Sequence, residues 1–201
     1  MMVHIGRGNH KLGKSILTFS IPPVITCIGS TPHCREICYG LKGRLIFKKA
    51  KDAFWENFIA SMKADFVEEM TKAIMRKLKR GDVKAFRIHF VGDFYNQAYL
   101  NNWKEIARIF PDLRFAAWTK SWQLDFSGRP ENMNVFYSIV KDTVVVNPTI
   151  HRYCILDEEG KYLKRKDVFV CPYPDIKEGA CEQCWACYRD NPPEVLVLRR
   201  R

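Results

Sequence analysis

The chain has little that would carry it into or across a membrane. Its start, MMVHIGRGNHKLGKS, contains no apolar h-region, so no secretory signal is expected. No uninterrupted apolar stretch approaches the ~18 residues a membrane span needs, so no membrane partner is expected. Internal repeats and low-complexity tracts are absent, which excludes solenoids, propellers and disordered linkers. Acid is the scarcer charge: 22 Asp and Glu stand against 33 Lys and Arg, a net charge of +11. With these absences the chain is expected in the cytoplasm, where thiols stay reduced. Eight cysteines there point to metal rather than to disulfides.

The basic residues cluster at Lys42–Lys51, Lys72–Arg80, Lys161–Lys166 and Arg199–Arg201. Such a surface favours a polyanion, most often nucleic acid. The plainer alternative is a lysine-rich surface that serves solubility alone.

At 201 residues the chain is long enough for one domain with an appendage. Ser15–Ile21 has the composition of a short strand, closed by Pro22 and Pro23. From Phe47 to Lys79 the pattern is helical, with Phe54, Phe58, Met62, Phe66, Met70, Ile74 and Leu78 four apart as a core stripe. Lys84–Val91 is expected to be a buried strand, and Gln97–Phe110 a second amphipathic helix stopped by Pro111. Further strands are expected at Leu113–Trp118, Val135–Val140 and Thr143–Asn147, and a hairpin at Ile155–Leu163. Strand, helix, strand, helix, strand is the rhythm of a parallel sheet. The gap between Val140 and Thr143 is too short for a crossover helix. The expectation is therefore an α/β fold, a partial, open βα barrel over residues 1–150, with a Cys-rich metal-binding extension over 151–201.

The cysteines fall into two groups and a remainder. Cys171, Cys181, Cys184 and Cys187 form a Cys-Pro followed by CxxCxxC, a spacing similar to the cluster motifs of bacterial ferredoxins. Zinc, which favours paired knuckles, is the alternative there. Cys27, Cys34 and Cys38, spaced C-x6-C-x3-C just after the first strand, would hold a 4Fe-4S cluster with one iron unligated by protein. Cys154 stands alone. Scattered buried cysteines are the bland reading of either set.

In a parallel sheet, ligands bind beyond the carboxyl ends of the strands. Gly92-Asp93 follows the second strand of the series and Thr119-Lys120-Ser121 the third. Three successive strand ends therefore aim the three-cysteine loop, a Gly-Asp turn and a Lys-Ser turn at one mouth. Asp93 is the candidate catalytic residue, with helix capping as its structural alternative. His89, within the strand, is expected in the core.

The segments KLGKSILTFSIPP, CYG after the third cysteine, RIHFVGDF, WTKS and the terminal CxxCxxC resemble a phage and plasmid family known as gene product 88. The resemblance covers most of the chain. More distantly, a three-cysteine loop after one strand and a Gly-acid turn after the next resemble radical S-adenosylmethionine enzymes. That resemblance implies cluster ligands at Cys27, Cys34 and Cys38, and S-adenosylmethionine held by its amino group at Gly92 and Asp93. The chain departs from that superfamily's usual C-x3-C-x2-C spacing and Gly-Gly-Glu turn.

Three functions are compatible with these features. The leading one is an iron–sulfur enzyme with two clusters, an electron donor and a nucleic acid or nucleotide-type substrate. The second is a non-catalytic module gripping single strands through its basic face and Trp118, Trp122 and Trp185. The third is a barrel that exchanges a nucleobase, with Asp93 as nucleophile and zinc at the four-cysteine set.

Overall fold

A computed structural model describes residues 3–199. The chain begins with β1 (Gly6–Asn9) and β2 (Gly13–Thr18), an antiparallel pair. A long loop carrying the short helix α1 (Pro32–Glu36) leads to α2 (Lys48–Ser61) and α3 (Phe66–Leu78). Then follow β3 (Ala85–Ile88), α4 (Gln97–Ile109), β4 (Arg114–Thr119), β5 (Met133–Ile139) and β6 (Tyr153–Asp157). The last elements are β7 (Phe169–Val170), α5 (Ala180–Cys184) and β8 (Val195–Arg199).

The eight strands form one sheet in the order β1-β2-β3-β4-β5-β6-β8-β7. Every pairing after the first is parallel. The sheet is open, with β1 and β7 at its edges. The expected α/β class, parallel strands and lack of closure are therefore what is seen. The Cys-rich region is not an appendage, however. It is the connection from β7 to β8, and β8 returns into the sheet beside β6.

Alternation along the strands divides the sheet into two faces. Leu17, Phe86, Ile88, Phe115, Ala117, Val135 and Tyr137 point to one face and form the main core with α3 and α4. Trp103 of α4 is fully buried there, its indole against the rings of Phe19, Phe66 and Phe86. Helix α4 forms because Asn96 caps it, its side chain accepting from the Tyr99 amide at 2.8 Å, and because Tyr99, Trp103, Ile106 and Ala107 share its buried face. His89 lies in this core at 3% exposure, its Nε2 2.8 Å from the Tyr99 hydroxyl, as its place in the strand implied. On the other face Ile16, Ala85, Ala116, Trp118, Phe136, Cys154 and Leu196 meet the Cys-rich connection. This is the cysteine face.

Three expected elements take a different form. The helix expected from Phe47 to Lys79 is two helices, broken between Ser61 and Phe66. Residues four apart drift about 40° per step around a helix, so a stripe of seven cannot stay on one side of a straight rod. Met62, at the break, is 58% exposed, while Phe66, Met70 and Ile74 are buried. The strand expected at Thr143–Asn147 is a loop, and Val144 is 91% exposed. Its β-branched run has no neighbouring strand to pair with. Asn147 anchors it, donating to the carbonyls of Ser121, Trp122 and Leu124. The hairpin expected at Ile155–Leu163 is replaced by β6, which pairs with β5 and β8 instead of folding back on itself.

Candidate functional site

Five consecutive strands, β2 to β6, deliver their carboxyl ends to one mouth. From β2 the chain passes Pro22 and Pro23 into the first cysteine loop. Val24 there has φ +68°, in the left-handed region that a β-branched residue rarely occupies. The Thr26 hydroxyl donates to the Pro22 carbonyl at 2.6 Å and accepts from the Asp93 amide at 3.3 Å, tying this loop to the end of β3. Helix α1, which carries Cys34, is capped by Thr31 and starts with Pro32. It is held from two further strand ends. Asp142, after β5, accepts from the Thr31 hydroxyl at 2.6 Å and the His33 amide at 2.8 Å. Glu158, after β6, lies 2.6 Å from His33 Nε2. Neither acid was singled out in the sequence.

Two glycines let the loop sit this close. A Cβ on Gly29 would lie 1.7 Å from the Lys120 carbonyl oxygen. Gly92, at φ +88°, has Ile21 and Thr26 where a side chain would go. The structural need at Gly92 is thus close packing of β3 against the end of β2.

Asp93 is buried at 5% exposure and held from two sides. One carboxylate oxygen accepts from the Phe94 amide and the other from the Lys120 amide, both at 2.7 Å. Burial pushes its pKa up to about 6, against the pull of these bonds. Thr119 and Ser121 are buried braces: Thr119 Oγ1 accepts from the Ser121 amide, and Ser121 Oγ donates to the Phe94 carbonyl. Lys120 differs from both. Its Nζ donates to the Ser138 carbonyl at 2.6 Å, and burial lowers its pKa against the fields of Cys34 and Asp93. Of the turn expected to hold a cofactor, Lys120 is the member whose charge faces the cysteines.

The three thiols of the first loop are half-buried and free. Burial, then the Asp93 carboxylate, pushes Cys27 up to about 12, with Cys34 and Cys38 adding to it. Burial also raises Cys34, opposed chiefly by Lys120. The structure therefore brings Cys27, Cys34, Cys38, Asp93 and Lys120 together, as their placement at strand ends implied.

The second set lies on the cysteine face. Cys171 follows β7, its amide donating to the Val197 carbonyl at 2.9 Å. Cys181 and Cys184 belong to α5, which is fastened to the start of β2: the Glu182 carboxylate accepts from the amides of Lys14 and Ser15. Asn134 of β5 donates to the carbonyls of Cys187 and Arg189. Burial raises Cys187 well above an ordinary thiol, and the fields of Cys154, Cys181, Cys171 and Cys184 add to it. Cys154 is no outlier in space, since it packs with Cys171 and Cys187 on β6. Burial pushes it up to about 12 although Lys11, Arg87 and Lys120 all oppose the shift.

Among the described residues, no three Cys, His, Asp or Glu side chains stand ready-made around a single metal ion. The donor chemistry still suits a cationic or cluster centre. Each set gathers thiols that disfavour one another's ionisation, and a bound metal reverses that penalty because it needs thiolates. Of the tryptophans singled out, Trp118 and Trp185 pack at the cysteine face, while Trp122 is 44% exposed beyond Lys120. Among the described residues no helix is long and apolar enough to cross a membrane.

A family model described as Gene product 88 matches residues 4–190. The Gene 88 protein of Mycobacterium phage D29 is 25% identical, over 66% of this chain and 65% of that protein. The Gene 88 protein of Mycobacterium phage L5 is 26% identical over the same shares. The chain thus spans about two thirds of the length of these relatives. No solved structure matches it.

Proposed function

Because the chain belongs to the gene product 88 family and carries one cysteine set against a face of the sheet and another in the loop beyond the strand ends, we propose that it is an iron–sulfur enzyme. Cys27, Cys34 and Cys38 hold a 4Fe-4S cluster with one iron open, and Cys171, Cys181, Cys184 and Cys187 hold a second cluster. When bound, such a pair supplies an open coordination position and a route for single electrons. The observation that carries this reading is the assembly of three thiols with Asp93 and Lys120 over consecutive strand ends. A merely structural site needs neither a buried acid nor a buried cation beside it.

The chain's own residues then have distinct tasks. Gly29, Asp142 and Glu158 fix the loop that carries the three thiols. Asp93 offers its remaining lone pairs to a cationic group, the amino group of S-adenosylmethionine in this reading. Lys120 faces an anionic one. The surface of net charge +11 fits a nucleic acid or nucleotide-type substrate. In this reading the open, mostly parallel sheet serves as a partial βα barrel, whose mouth is the usual seat of such chemistry.

The test begins with protein purified without oxygen. About eight irons with matching sulfide are expected, and S-adenosylmethionine should perturb the paramagnetic resonance of the reduced protein. Cys34→Ala should abolish that response and keep the second cluster. Cys184→Ala should lose the second cluster and lower the melting temperature. Colourless protein holding only zinc would end this reading in favour of a binding module.

A further inference from the structure

A groove of about 470 Å³ opens at the two ends of the first cysteine loop, sharing no residue with Asp93 or Lys120. One wall is residues 22–25, which lead to Cys27. Another holds Leu41 and Ile46, which follow Cys38, and Phe54 and Trp55 of α2 complete it. Val24, at φ +68°, belongs to that wall, and backbone in so rare a region clusters at ligand sites. The lip of the groove is apolar and exposed, Trp55 at 45% and Phe47, the residue after Ile46, at 62%. Its rim is basic. Residues 39–51 include Lys42, Arg44, Lys48, Lys49 and Lys51 and no acid, and all five cations are exposed. Among the described residues only Lys48 of these five has an acidic partner, Asp52 at 2.7 Å. Lysines also fill the start of α2, whose first turn has no acid, so they oppose the helix dipole and cost the helix stability.

A surface that serves solubility alone needs neither exposed rings nor cations where they weaken a helix. Rings beside a row of unpaired cations match a ligand in which flat apolar groups alternate with negative charges. Single-stranded nucleic acid is such a ligand, since its bases present their faces for stacking and its phosphates repeat along the strand. A duplex keeps those faces inside its stack. A protein partner suits the rim less, because lysine is depleted in protein interfaces and four of the five cations are lysine. An anionic bilayer would bring its headgroups against Asp52 and Glu56, both exposed beside Trp55 on α2. We propose that the groove and its rim bind single-stranded nucleic acid, with a base against Trp55 and phosphates along Lys42, Arg44, Lys49 and Lys51. This seat rests on the nucleic-acid substrate read above and specifies its strandedness. It requires neither cysteine set to hold iron.

The test is fluorescence anisotropy with a labelled oligonucleotide of about twelve residues, DNA or RNA, offered as a single strand and as a duplex. Either sugar suffices, because base faces and phosphates are common to both. Wild type should bind the single strand about fivefold or more tighter than the duplex. Trp55→Ala should weaken single-strand binding about tenfold, the scale of one base–aromatic stack, and Trp55→Phe should keep most of it. Phe47→Ser, at an exposed position, should cost severalfold and leave the melting temperature unchanged. Lys49→Gln with Lys51→Gln should flatten the slope of log affinity against log salt by about 1.4, at about 0.7 per phosphate contact on a single strand. A duplex bound as tightly as the single strand, no binding of either, or wild-type binding by both Trp55→Ala and Phe47→Ser would overturn the seat. So would binding to phosphatidylcholine–phosphatidylserine vesicles that Trp55→Ala abolishes while strand binding is unchanged, which would assign this face to a membrane. Iron, zinc and sulfide measured on the same samples keep the strand-binding result separate from the fate of the iron reading.

Discussion

Asp93 and His89 sit four residues apart on the same strand end, and burial acts on them in opposite senses. Asp93 is pushed from 3.8 up to about 6, and His89 from 6.5 down to about 3. For Asp93 the folded state binds its proton more tightly than the unfolded chain. Its contribution is therefore present in full below its ordinary value and is lost as the pH rises through about 6. That gap corresponds to about 3 kcal/mol. His89 is held neutral, so its contribution is full above 6.5 and is lost as the pH falls toward about 3. Between about pH 4 and 6 the two slopes, each about 1.4 kcal/mol per pH unit, have opposite sign and cancel.

Single substitutions expose what the wild type conceals. Urea unfolding followed by tryptophan fluorescence from pH 4 to 7 is the assay. The stability of Asp93→Asn relative to wild type should rise by about 2.4 kcal/mol across that range, whatever its constant offset from the altered hydrogen bonds. His89→Asn, which suits the φ of +58° found there, should do the reverse, gaining on wild type as the pH falls below 6.5. Comparing variants removes the carboxylates they share. Parallel curves for wild type and Asp93→Asn would mean that Asp93 ionises as an ordinary surface acid. The buried acid at the mouth would then be lost, and its proposed pairing with a cationic group with it.

Gly29→Ala should destabilise the fold by about 1–3 kcal/mol, because its Cβ meets the Lys120 backbone. It should also lower the metal bound by the first set more than by the second, which elemental analysis of single-set variants can separate. Asn132→Ala should cost more than about 2 kcal/mol, since one amide serves the carbonyls of Ala107, Phe110 and Leu113; an unchanged urea midpoint would contradict that. If the basic surface holds nucleic acid, log affinity should fall linearly with log salt, and flat binding between low and moderate salt would favour a surface tuned for solubility alone.

The fold was legible where local pattern and tertiary partner agree. β2, β3, α4 and β4 have alternating or helical periodicity bounded by Pro or Gly, and the sheet uses them as written. Legibility fails past β5. There no crossover helix announces the next strand, β7 is two residues long, and β8 enters between β6 and β7. The valines at 144–146 look like a strand because β-branching is a local property. Pairing is not, and these residues pair with no strand. The helix break before Phe66 follows from 3.6-residue geometry, which a run of fours disguises.

The site divides in the same way. Cysteine spacing and the position of Asp93 and Lys120 after strands are sequence properties, and the structure brings these groups together. The acids that fasten α1 are not legible, because Asp142 and Glu158 reach His33 across more than a hundred residues of chain. Arg87 lay between the two cases. A parallel strand covered on both faces is apolar nearly throughout, and the stretch Ala85–Ile88 breaks that rule once, at the position facing away from Phe86 and Ile88. Arg87 is half-buried there, its guanidinium over the rings of Trp118 and Phe90, and only its Nε is buried without a partner.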